Sequence, residues 1–190
     1  MSYHSKFLKA KGQICTILRA KPVTSRISLK RSTRASRDLG IREGYWEGTI
    51  LLDASLTSGE YFTIGDDKYI TQSTNFDPAS SCTAVFAAKT NTVMHHCRIS
   101  EVAVSGNVQT SWPVVNASVA AFVEVVTYTL RQYDPGLLEQ TRYIAQVPKV
   151  IGAKKLDRFV MCDGNYQVVS VDEMGMSGVE RVQLGADVRE

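Results

Sequence analysis

The sequence predicts a mainly β protein: two small β-barrel or sandwich-like modules related by a weak internal repeat, with a basic extended N-terminal arm. Three observations carry this. The stretch from Leu156 to Leu184 reads as a three-stranded meander. Phe159 and Met161 alternate with Arg158 and Val160, the period of a strand. Asp163-Gly164 offers the positive φ of a tight hairpin, Tyr166 to Val171 is rich in β-branched residues, and Val179, Val182 and Leu184 form a third run after a polar turn. The same pattern stands 97 positions earlier: Phe62 matches Phe159, Asp66 matches Asp163, Tyr69 matches Tyr166 and Ser73 matches Ser170. A third run, Cys82 to Ala88, again follows a turn, at Asp77-Pro78. Shared order of strand, Asp-containing turn, strand, longer turn and strand marks a repeated supersecondary unit. The last observation is a change of composition at Gly44, where a polar basic stretch gives way to Tyr45, Trp46, Ile50, Leu51 and Leu52.

Taken in order, Met1 to Lys11 shows no clear period and reads as flexible or docked on a neighbour. Gln13 to Leu18 reads as a strand ending before Lys21-Pro22, because proline removes a ladder donor. Val23 to Leu29 alternates as a second strand. Lys30 to Gly40 holds almost no large apolar side chain, so it is expected to be an arm or a loop ordered by a partner. Residues 1–43 are thus expected to be an N-terminal part of basic strands and extended arm, and the first compact unit is expected over 44–105, closed by residues 85–88 and 92–99, with a connector at 106–116 around Gly106, Ser111 and Pro113. The second module then spans 117–190 and opens with a long strand from Ala117 to Leu130, where Val123, Val125, Val126 and Thr127 oppose a helix. Asp134-Pro135-Gly136 is a strong turn, Leu137 to Thr141 suits one helical turn, and Arg142 to Val150 returns to strand.

A chain of 190 residues with 44% apolar content fits two small domains, and no apolar run approaches a membrane span. No signal-peptide pattern follows the basic N-terminus, and Cys15, Cys82, Cys97 and Cys162 lack CxxC spacing, which fits reduced thiols. The net charge of +3 conceals an asymmetry. Residues 1–42 carry eleven Lys and Arg against Asp38 alone, while the rest carries eleven basic and eighteen acidic residues. One end of the chain seeks negative charge and the body is mildly acidic.

Catalytic and metal signals are sparse. His95-His96-Cys97 with Cys82 upstream has zinc-ligand residue types, but adjacent residues on a strand point to opposite faces and cannot share one ion without distortion. The expected arrangement is one core-facing ring, one solvent-facing ring and a small buried thiol. No nucleophile elbow, P-loop, HExxH or dinucleotide motif is present, and Asp66-Asp67 and Asp172-Glu173 sit in turns, where carboxylates serve backbone hydrogen bonding. Neither an enzyme nor a cofactor is expected. Lys30, Arg31, Arg34 and Arg37 can neutralise phosphates, but no aromatic residue interleaves them to stack on bases. The plain alternative is a solvated basic loop, and a third is an arm laid on an acidic surface of a partner protein or of another copy, which the charge of the body favours.

Ser58 to Ile64 with Tyr69-Ile70-Thr71, and Leu156 to Phe159 with Val179 to Asp187, resemble segments of neck and head-closure proteins of tailed bacteriophages. Lys30-Arg31-Ser32-Thr33-Arg34 and Tyr45-Trp46-Glu47-Gly48 also have the look of a virion component. The resemblance implies a non-enzymatic virion protein, a head-to-tail connector that forms a ring around the DNA channel. Its implied partners are copies of itself, the portal or its adaptor, a tail protein and the packaged DNA, with no membrane. Lys30, Arg31, Arg34, Arg37 and Arg42 would contact a neighbouring subunit or DNA, with Tyr45 and Trp46 anchoring the arm to the body. Tail-terminator, tail-tube and baseplate roles stand as alternatives, as does a nucleic-acid-binding protein that uses the arm as a phosphate clamp.

Overall fold

In the computed structural model, residues 2–33, 44–104, 107–161, 164–172, 175 and 177–189 are described. The chain is mainly β and folds as two closed antiparallel barrels of six strands each. The first contains β1 (Gln13–Leu18), β2 (Val23–Arg31), β3 (Tyr45–Leu51), β4 (Tyr61–Ile64), β5 (Asp67–Asp77) and β6 (Cys82–Lys89). The second opens with β7 (Thr92–Cys97), is interrupted by a separate hairpin of β8 (Ser100–Val104) and β9 (Asn107–Ser111), and continues through β10 (Val114–Val125), β11 (Thr141–Pro148), β12 (Arg158–Met161), β13 (Gly164–Asp172) and β14 (Val179–Ala186). The first barrel closes in the order β1-β2-β3-β6-β5-β4, and the second in the matching order β7-β10-β11-β14-β13-β12. Each is a pair of three-stranded meanders joined along both edges, so closure leaves neither barrel with an unpaired edge.

The repeat is structural as well as textual. β4 and β12, β5 and β13, β6 and β14, and the 3-10 turns at Leu52–Ala54 and Lys149–Ile151 each begin 97 residues apart. Register agrees too: Phe62 faces Tyr69 as Phe159 faces Tyr166. Gly65 opens the first hairpin turn at φ +58°, a conformation side chains with a Cβ disfavour. Phe62 and Tyr69 fill the first core with Ile17, Ile27 and Ile50, and Phe159 and Tyr166 fill the second with Val147, Val182 and Leu184. Each fully buried aromatic or aliphatic side chain stabilises by about 1.5–3 kcal/mol.

Several expectations are corrected. Residues 13–31 are not a separate N-terminal part, since β1 and β2 are two of the six staves of the first barrel. Thr92–Cys97 does not close the first module; it pairs with β10 and β12 in the second. The described part of the stretch expected as a connector, 107–116, holds β9 of the inserted hairpin and the start of β10, so it falls between two strands of the second barrel rather than between barrels. Tyr3–Lys11 is a helix, α1, capped when the Ser2 hydroxyl accepts from the His4 amide, and its Leu8 is buried with Leu51 and Cys82. β10 ends at Val125 because Thr127 caps a second helix, α2 (Tyr128–Tyr133), whose Leu130 is buried. That local cap and one buried leucine outweigh the strand preference of the β-branched run. Of Leu137 to Thr141, residues 137–140 are turn rather than helix and Thr141 opens β11; Arg131 donates to the carbonyls of Leu138 and Thr141 and holds the turn.

The barrels meet along a closely packed seam. Tyr45, Ala88, Ile70 and Tyr61 form one cross-strand row on the first barrel. With Phe86 they pack on Phe122 and Val179 of the second. Tyr45 stacks against Phe86 and meets Phe122 edge-on, with ring centroids 5.7 and 5.0 Å apart. The Tyr61 hydroxyl donates to the Ala120 carbonyl, and Gln146 donates to the Tyr45 hydroxyl at 2.9 Å. Gly59 and Gly178 allow the backbones to touch: a Cβ on Gly59 would lie 2.1 Å from the Gly178 carbonyl oxygen. Asn91, in the link between barrels, bonds both the amide and the carbonyl of Val123 at 2.8 Å.

Candidate functional site

The most structured polar cluster is a clasp that occurs once per barrel. In the first, Arg19 leaves the end of β1 and grips Glu60 with two nitrogens at 2.5 and 2.7 Å, while its Nη2 also donates to the Ser55 carbonyl. Glu60 in turn accepts from the Thr57 amide at 2.8 Å. In the second, Arg98 leaves the end of β7, grips Asp157 at 3.0 and 2.8 Å and donates to the Gly152 carbonyl. Asp157 accepts from the Lys154 amide at 2.9 Å. Glu60 and Asp157, Ser55 and Gly152, and Thr57 and Lys154 are again 97 residues apart. The end of the first strand of each barrel and the strand-entry loop that faces it are thus tied by the same paired hydrogen bonds.

His96 extends the second clasp. It is fully buried, and its Nε2 lies 2.7 Å from Asp157 Oδ2. Nδ1 lies 2.9 Å from the Asn116 amide nitrogen, which only donates, so the network assigns the imidazole proton to Nε2. Both ring nitrogens are therefore engaged, and the ring stacks on Phe159 at 5.0 Å. No position is left from which it could take a proton from a nucleophile, which makes this a structural pair rather than a catalytic dyad. Burial pushes the Asp157 carboxyl up, but the hydrogen bonds from Arg98 and His96 outweigh it and hold the group below its ordinary range.

The strand-face expectation for the histidines holds: His95 is exposed and His96 and Cys97 are buried. Cys82 packs in the first barrel against Leu8 and Leu51, far in topology from Cys97 in the second. Burial raises the Cys15, Cys82 and Cys97 thiols, Cys15 to about 11, which opposes the thiolate that ligation or nucleophilic attack requires. Among the described residues no group of three His, Cys, Asp or Glu side chains is placed to hold a metal ion.

The basic residues singled out from the sequence fall in two groups. Lys30 and Arg31 are exposed on β2, and Lys30 pairs with Glu47 at 3.5 Å. Arg34, Arg37 and Arg42 lie outside the described residues. Tyr45 cannot meet a neighbour or DNA: it is 4% exposed and belongs to the seam, because its outward face is covered by the second barrel. Trp46 is half-buried, edge-on to Tyr69 and packed on the first core.

A second cluster was not legible from the sequence. Arg158 and Arg189 place their guanidinium groups over the Trp112 ring, 4.0 and 4.4 Å from its centroid. Both also bond the buried Asp187, at 2.7 and 2.8 Å. Burial raises that carboxyl, but Arg189 and Arg158 overcome this and hold it well below the usual carboxylate range. Trp112 closes the β8–β9 hairpin, so the cluster ties an inserted element and the 186–189 segment to β12. Trp112→Ala is expected to cost about 1–2 kcal/mol. It should also speed amide hydrogen exchange across Ser100–Ser111; exchange as slow as in the parent would mean the tryptophan does not hold the hairpin.

Comparison with protein-family models, with curated proteins and with solved structures finds no match for this chain. Its class therefore rests on what is described above: a duplicated, closed-barrel protein whose polar clusters are structural clasps and whose charge is divided between its halves.

Proposed function

We propose that the chain is a structural virion protein of a tailed phage, assembling as a ring at the neck to close the DNA-filled head and join it to the tail. The observation that carries this reading is that both stretches bearing the resemblance fold as the same meander inside a closed barrel. The chain thus holds two copies of the kind of small β module on which such rings are built. Two features agree. The clasps and the engaged His96 spend their polar chemistry on holding loops. Residues 1–91 carry thirteen basic and eight acidic side chains against nine and eleven in 92–190, a polarity suited to head-to-tail contact.

Light scattering and negative-stain imaging, on the protein alone and with duplex DNA, test it. Rings, or a monomer that ignores DNA and joins head or tail components, are expected. A monomer that coats DNA and is released steeply by salt would overturn it in favour of a nucleic-acid binder. Replacing Arg31, Arg34, Arg37 and Arg42 with alanine is expected to block assembly while leaving the melting transition of the isolated protein intact. If the melting transition itself collapses, these residues serve the fold and not assembly.

A further inference from the structure

The second barrel carries an element that the first lacks. The first barrel crosses from β1 to β2 through residues 19–22, whereas the matching strands β7 and β10 are joined through 98–113, which hold the β8–β9 hairpin. Closing a barrel does not require the hairpin, since the shorter crossing suffices in the first. The hairpin leaves the second barrel at Cys97 and Val114, the end away from Thr92 and Ala121. That far end holds the link from the first barrel and Phe122 of the seam. A Cβ on Gly44 would also meet Phe122, so the chain re-enters β3 at the far end too. Arg158 and Arg189 hold Trp112 at the hairpin's base.

Both edges of this hairpin are open. Among the described residues every other strand has a paired neighbour on each side, while β8 and β9 pair only with each other. Val104 and Asn107 flank the turn, so they form a doubly hydrogen-bonded pair, and the pattern alternates from there. The Glu101–Thr110 and Ala103–Val108 pairs therefore turn their amides and carbonyls outward, Glu101 and Ala103 along one edge, Val108 and Thr110 along the other. Lysine and proline, which keep open edges from pairing, are absent from both strands, and their one charge is Glu101. Exposed apolar side chains surround the base: Ile99, Val114 and Val115, with Val188 beside Arg189 and Leu156, whose carbonyl Arg189 binds.

We propose that these edges join copies of the chain: β8 of one copy pairs with β9 of the next, extending the hairpin into a sheet that runs between molecules. Strand addition needs an open edge on both partners. Both barrels are closed, so among the described residues of another copy only this hairpin offers one. Hairpins laid side by side keep every neighbouring pair of strands antiparallel, because each hairpin is itself antiparallel. As they approach, the apolar side chains at the base leave water. The contact is heterologous, with one edge given and the other received, so it propagates from copy to copy and closes into a ring when the rotation allows. The inference gives the ring reading its contact, and rests on that reading only for closure into a ring.

Sedimentation velocity and negative-stain imaging of Glu101→Pro and Thr110→Pro in the full chain test the pairing. Each proline removes one outward amide from a different edge and leaves the bonds within the hairpin in place. Each variant alone is expected to keep the parent melting curve and to self-associate at least roughly tenfold more weakly, the scale of one lost hydrogen bond. Because each blocks a different half of one heterologous contact, an equimolar mixture is expected to stop at dimers. Glu101→Ala and Thr110→Ala keep both amides and are expected to assemble like the parent; a loss equal to that of the prolines would overturn the strand pairing. Glu101→Lys and Thr110→Lys take the place of the prolines if these lower the melting temperature. Rings formed equally well by the edge variants would overturn this contact and leave the ring reading standing. A mixture that stays monomeric would also overturn it. Parent protein that remains monomeric even with head and tail components would overturn both.

Discussion

Asp157→Asn is expected to lower the unfolding free energy at neutral pH by about 3 kcal/mol or more, the scale for removing one partner of a buried ion pair. Asp157 is 3% exposed, and its Oδ2 alone accepts from Arg98 Nη2, His96 Nε2 and the Lys154 amide. An asparagine turns its NH2 group either toward these three donors or, in the other orientation, toward Arg98 Nε. Arg98 can recover some hydration, since its side chain is 35% exposed, but His96 at 0% cannot. The parent's pH profile follows from the sign of the shift. The Asp157 and Asp187 carboxyls are held below their ordinary values, so their contribution is fully present above the unfolded carboxylate pKa of about 4 and is lost as pH falls through the folded values. Urea unfolding of parent and variant at a series of pH values checks this. The two curves should stay well separated at neutral pH and converge in acid, and a constant separation throughout would refute the charge-based account.

Phe122→Ala is expected to cost about 3–5 kcal/mol and to separate the unfolding of the barrels. Phe122 is 1% exposed, yet it belongs to neither barrel's own core; it lies between them, against Tyr45, Ile70 and Val179. Truncating it leaves the Phe62 and Phe159 clusters intact and opens a cavity against Tyr45, Ile70 and Val179 in the middle of the seam. Calorimetry should show the parent's transition lowered by roughly 6–20 °C, with a second component emerging as the coupling weakens. An unaltered single transition would mean that the seam contributes little and that Asn91 and the glycine contact suffice.

The sequence alone determined the β class, the meander at each half and the face of each hairpin residue. All depend on a period of two and on turn residues, which are local. Thus Phe62, Tyr69, Phe159 and Tyr166 are core, and His95 and His96 take opposite faces, as the alternation requires. The boundaries were not legible: that β1 and β2 complete the first barrel, and that β7 belongs to the second, depends on edge pairing between distant strands. Residue type did not reveal the clasps either. Glu60 and Asp157 differ, and Arg19 and Arg98 lie 79 rather than 97 residues apart, because the β8–β9 hairpin is inserted between Arg98 and Asp157 and has no counterpart between Arg19 and Glu60. Only the fold brings these pairs together, since a bidentate ion pair is selected by geometry and not by spacing along the chain. The same holds for Tyr45. Its aromatic character next to a basic stretch suited an exposed anchor, and what buries it is the second barrel, placed there by contacts more than seventy residues away.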